Sequence, residues 1–143
     1  MNKNTGNLKS NIGELVFTMT SANHVHIQAN EAAVNRVVYS ISCHVHLIDG
    51  QWKLKDYREL YMSRPGSFDY PTSAARRKAS DAILVAWAAF VASTGFTEIA
   101  TAAERGHLED EIRRADEKIV ELEKKLTAAR NERGDLRYKL GAL

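Results

Sequence analysis

The sequence predicts an α+β fold: an N-terminal antiparallel sheet of about four strands, then a buried helix, then a long C-terminal coiled-coil-forming helix. Three observations carry this. Residues 14–62 are dominated by a two-residue alternation of apolar and polar side chains, the period of a half-buried strand. Residues 82–92 are almost wholly apolar. From Leu108 onward, leucine, isoleucine and alanine return at heptad spacing among charged residues. The expected division is a flexible tail over 1–13, sheet plus packing helix over 14–96, and a long helix over 97–143.

Bulk properties agree with a folded chain. Of 143 residues, 44% are hydrophobic and 27% charged, with only two prolines and eight glycines. The single cysteine, Cys43, cannot form an internal disulfide. The opening MNKNTGNLKSNIG has no apolar stretch behind it, so neither a signal peptide nor a membrane anchor is expected, and the expected location is cytoplasmic.

The first two strands are ELVFTMT (14–20) and HVHIQ (24–28). The clearest is RVVYSISCHVHLI (36–48), which puts Val37, Tyr39, Ile41, Cys43, Val45 and Leu47 on one face and the histidines and serines on the other. Asp49-Gly50 supplies the positive φ angles of a two-residue hairpin. That turn sets Ile48 opposite Gln51, Leu47 opposite Trp52 and Lys53 opposite His46, with a fourth strand running to about Met62. On this pattern Cys43 is a buried small hydrophobe.

SRPGSFDYP (63–71) holds both prolines and separates sheet from helices. A helix starts near Thr72 or Ser73, and Ile83, Trp87 and Phe90 give it one bulky side. Its eleven-residue apolar centre is too short to span a bilayer. Thr94-Gly95 ends it, and Thr97 or Thr101 caps the next helix, Glu104 completing a capping box with Thr101.

In the last helix Ile112, Ile119, Leu126, Arg133 and Leu140 take heptad position a, while Leu108, Ala115, Leu122, Ala129, Leu136 and Leu143 take d. From Glu104 the ten acidic and ten basic residues balance. The first helix, about 22 residues or roughly 33 Å, can cover only the first half of a second helix of roughly 66 Å. An apolar stripe from Ile119 onward is left needing a partner, and a second copy of the chain is the expected one.

Four of the five histidines come as His-Val-His, at 24–26 and 44–46. Four converging imidazoles would suit zinc or another transition metal. A hairpin with Val25 opposite Tyr39 and Ile27 opposite Val37, however, sets His24 beside Ser40, about four residues or roughly 13 Å from His44. Lys53 opposite His46 and Lys55 opposite His44 further oppose a bound cation. No metal site, cofactor or catalytic constellation is therefore expected; no phosphate loop, dinucleotide fingerprint or zinc-protease motif occurs.

Between Lys53 and Lys78, seven basic residues stand against three acidic ones. His44, His46, Lys53, Lys55, Tyr57, Arg58, Arg64, Arg76, Arg77 and Lys78 form the candidate surface for an anion or a nucleic acid. The expected function is a non-enzymatic oligomeric interaction module, an adaptor, assembly factor or inhibitor that shows its sheet to a protein partner. The alternatives are nucleic-acid binding through the basic surface, and a small enzyme with a cleft at the sheet–helix junction.

Overall fold

A computed structural model describes residues 4–55 and 59–143. Two compact units divide the chain, one through His107 and one from Leu108 to Leu143.

The first unit is built on an antiparallel sheet of six strands: β1 (Thr5–Ser10), β2 (Gly13–Ser21), β3 (His24–Val34), β4 (Val37–Ile48), β5 (Gln51–Lys53) and β6 (Leu60–Ser63). The order is β1-β2-β3-β4-β5, with β6 also paired to β4. Alternation decides the faces. Leu15, Phe17 and Met19 of β2, Val25 and Ile27 of β3, and Tyr39, Ile41, Cys43 and Val45 of β4 are all buried on one side.

Residues 5–10 are the first correction to the sequence reading, which made them part of a flexible tail. They form β1 because Leu8 lies opposite Leu15 and joins the core, as does Ile12 from the following turn. Asn4 ties the strand's start down: its carbonyl accepts the Met19 N–H at 2.8 Å and its Nδ2 donates to the Met19 carbonyl at 2.7 Å. Gly6 sits under the Phe17 ring, where an added Cβ would come within 2.7 Å of Cε1 and Cζ.

The Asp-Gly hairpin has the expected register, Ile48 with Gln51, Leu47 with Trp52 and His46 with Lys53, and Asp49 and Gly50 take φ of 52° and 79°. The expected single strand from Gln51 to Met62 is instead two short ones on the same edge of β4. β5 lies beside His46–Ile48, and β6 beside Ser40–Cys43.

The β3–β4 hairpin is the larger correction. β3 runs on to Val34, and the chain reverses at Asn35-Arg36, both at positive φ (51° and 67°). Val25 therefore faces Val45 and Ile27 faces Cys43. A register shift between Ala29 and Ala32 restores the inward phase, so that Ala29, Ala32 and Val34 are all buried.

α1 (Ser73–Val91) begins where expected, with Thr72 as N-cap: its Oγ1 accepts the Ala75 N–H at 3.1 Å. Its buried residues Ala75, Ala79, Ile83, Ala86 and Trp87 cover the apolar face of the sheet. Alanines let the helix approach closely, and the Trp87 ring meets Phe17 edge-on at 5.2 Å and Trp52 at 5.3 Å. Burying side chains as large as Ile83 and Trp87 stabilises the unit by roughly 1.5–3 kcal/mol each.

α2 (Phe96–Gly141) follows a short turn. Because it starts at Phe96, Thr97 and Thr101 lie inside it and neither is the cap. Glu104 does not close a capping box; its Oε2 accepts the Ala22 N–H at 2.8 Å, tying the helix to the β2–β3 turn. Phe96, Ile99 and Ala100 pack on the core and Ala103 is buried. The apolar face of α1 is taken up by the sheet, and its Trp87 and Phe90 rings also meet the Phe96 ring at the start of α2. From Leu108 to the end every residue is exposed.

Candidate functional site

The outer face of the sheet carries an unusual concentration of imidazoles. In an antiparallel pair, directly opposed residues on one face bring their side chains together. The β3–β4 register opposes His24 to His46 and His26 to His44. The His24 and His44 rings stack at 5.1 Å, those of His26 and His44 at 4.5 Å, and His24 and His46 lie 4.6 Å apart at 42°. The sequence reading held the two His-Val-His segments apart; they converge. The error lay in the turn, placed several residues too early along β3.

Hydrogen bonds run through the cluster. His24 Nε2 and His44 Nδ1 are 3.0 Å apart, Thr20 Oγ1 bonds His24 Nδ1, and His26 Nε2 bonds Ser42 Oγ at 2.7 Å. One consistent neutral arrangement has the Thr20 hydroxyl donating to His24 Nδ1 and His24 Nε2–H donating to His44 Nδ1. Burial, then the neighbouring His46 and His44, push the His24 pKa down from 6.5 to about 4. Burial and His44 lower that of His26 as well.

Glu59 completes the group. Its Oε2 stands 3.0 Å from His46 Nε2, an ion-pair approach that is not aligned as a hydrogen bond, and accepts the Lys55 N–H at 3.4 Å. The sequence reading set Lys55 opposite His44 and assigned Glu59 no role. Interruption of the strand after Lys53 is what lets a carboxylate take that place. Thr20 and Glu59 were the missed members; no local motif marks either. Among the described residues, no three His, Cys, Asp or Glu side chains are arranged to hold a metal ion.

The basic residues do not gather into one surface. Lys53 is exposed beside His46 on the outer face, and Lys55 is exposed just past β5. Arg76, Arg77 and Lys78 belong to α1, which covers the opposite face. Arg76 Nη1 donates to the Leu60 carbonyl at 2.9 Å and Lys78 Nζ to Asn35 Oδ1 at 3.0 Å, so both have structural partners. Arg76 and Arg77 also line a groove of about 590 Å³ with Leu54, Leu60, Pro71, Ser73 and Ser80. Arg64 is exposed after β6, while Tyr57 and Arg58 lie outside the described residues. Cys43 is fully buried between β3 and β6, and burial raises its thiol pKa to about 12, so it stays protonated and unreactive.

The second exposed feature is the helix seam. Ile112, Ile119, Leu122, Leu126, Leu136 and Leu140 are each between 50% and 71% exposed, with Ala129 and Arg133 between them on the same repeat. Among the described residues no single helix is long and apolar enough to cross a membrane. Compared with known proteins, the chain matches no family model, no curated protein and no solved structure.

Proposed function

We propose that this chain is a non-enzymatic interaction protein that self-associates through the seam of α2 and offers the outer face of its sheet to a protein partner. One observation carries the reading. The 36 residues from Leu108 to Leu143 are exposed throughout, yet keep an apolar a/d repeat for more than four heptads. An isolated helix is marginal in water, and most helical stability comes from packing an apolar stripe. Burying a Leu or Ile from such a stripe contributes about 1.5–3 kcal/mol relative to leaving it exposed. A second copy supplies a seam of matching spacing at the same concentration.

The polar, histidine-rich outer face, with Lys53 and Tyr61 exposed on it, is the surface left for a partner, because α1 closes the other side. Splitting of the cationic side chains between the two sides of the sheet favours a protein surface over a nucleic-acid backbone, which takes a continuous basic track.

Light scattering on the full chain tests the reading. Wild type is expected to run above monomer mass, and the double variant Ile119→Asp, Leu122→Asp as a monomer with its sheet signal intact. Identical masses for both would sink the assignment.

A further inference from the structure

Resting on that self-association, we propose that the two copies of α2 run antiparallel, in the register that sets Ile112 of one copy against Leu136 of the other. The choice follows from what each arrangement puts face to face. In a parallel, in-register pair every a position meets its own copy. Arg133 would then face Arg133, two guanidinium groups in an apolar layer, and Ala115 and Ala129 would each face another alanine, leaving two thin layers. Flanking charges give no compensation: Lys118–Glu123 and Glu132–Arg137 attract, while Glu111–Asp116 and Lys125–Arg130 repel.

An antiparallel pair centred on residue 124 removes each difficulty. Its layers oppose a to d: Leu108 to Leu140, Ile112 to Leu136, Ile119 to Ala129 and Leu122 to Leu126. Each alanine now meets a larger side chain. Arg133 meets Ala115, whose small side chain leaves space for the guanidinium to turn outward beside Asp116. In antiparallel coils the flanking contacts are e to e and g to g. Here Glu109–Arg137, Asp116–Arg130, Glu111–Lys139 and Lys118–Glu132 all attract, each occurring twice. Only the central Glu123 and Lys125 meet their own kind, each once.

Neighbouring antiparallel registers fare worse. Sliding one heptad one way brings Lys118 to Lys139 and leaves Leu108 unpaired. Sliding the other way opposes Asp116 to Glu123, Glu111 to Glu132 and Lys118 to Lys125. Like-charge juxtaposition of this kind is what selects partner and register in coiled coils.

The test uses full-length chains carrying Ile112→Cys or Leu136→Cys, purified separately, sized by light scattering, then oxidised alone and mixed. The native thiol is buried and does not compete. Disulfide-linked dimer is expected in the mixture at tenfold or more over either variant alone, because two copies of residue 112 would lie about 36 Å apart along the axis. A spin label at Asp110→Cys, outside the seam, gives a second reading, with an expected separation of at least about 42 Å. A dimer in which Ile112→Cys links to itself, or labels closer than about 25 Å, overturns the orientation while leaving self-association standing. Monomeric wild type overturns both, and a stable trimer or tetramer overturns the two-helix register.

Discussion

Replacement of His24 by Gln isolates the acid sensitivity of the outer face. His24 titrates near 6.5 in the unfolded chain and at about 4 in the fold, first because it is withdrawn from water and then because His46 and His44 surround it. Below pH 6.5 the unfolded chain takes up a proton that the fold refuses. Stability is therefore full above about pH 6.5, falls as pH drops toward 4, and levels off below it. The unscreened difference of 2.5 pH units corresponds to about 3.4 kcal/mol at 1.36 kcal/mol per unit. The imidazole is only half-buried, and solvent screening reduces this to about 1 kcal/mol. His26, His44, His46 and Glu59 surround the ring, with Thr20 at Nδ1 and Lys53 opposite His46; all remain in the variant. Urea unfolding at pH 7 and pH 4.5 measures the effect as a difference of differences, which cancels any baseline cost of the substitution. With a slope near 2 kcal/mol per molar, the wild-type midpoint should drop about 0.5 M further than that of the variant. Equal drops would show that the crowded imidazoles do not oppose protonation.

Other expectations follow from single contacts. Gly6→Ala should cost about 1–3 kcal/mol in chemical denaturation, since the Phe17 ring it would press is held by Trp87 and Phe90. Thr72→Ala removes the cap of α1 and should cost about 0.5–2 kcal/mol by the same assay. In the native protein Cys43 should react with a thiol reagent only at the rate of unfolding; immediate reaction would place it outside the core. Glu104→Gln keeps an acceptor for the Ala22 N–H and should lose less stability than Glu104→Ala, whose cost is about 1–3 kcal/mol.

Where periodicity and turn chemistry agree, the sequence was readable. The alternation of Tyr39, Ile41, Cys43 and Val45, the Asp49-Gly50 turn and the start of α1 at Ser73, capped by Thr72, all stand as derived. The histidine cluster was hidden because its geometry depends on segments with little strand signal. Ala29-Asn30-Glu31-Ala32-Ala33 holds residues depleted in strands, and pairing to β4 overrides that preference. Arg36 at positive φ is an unusual turn residue. The change of phase between Ala29 and Ala32 was the available clue: apolar residues alternating on either side of a slip mark a bulge. Leu8 in β1 was missed because one buried leucine in a polar hexapeptide has no period to detect. Glu59 reaches His46 only through the break after Lys53.

The arrangement of β5 and β6 along β4 also bears on how the sheet resists uncontrolled growth. An edge strand with a long row of free backbone groups is a template for other chains. At this end the outermost strands, β5 and β6, contain only three and four residues, so neither presents a long row of free backbone groups. At the other end β1 is six residues long and carries exposed Lys9, a charge that an added strand would have to bring close to its own side chains. Edge-to-edge aggregation is thus discouraged at both ends by different means, strand length at one and charge at the other.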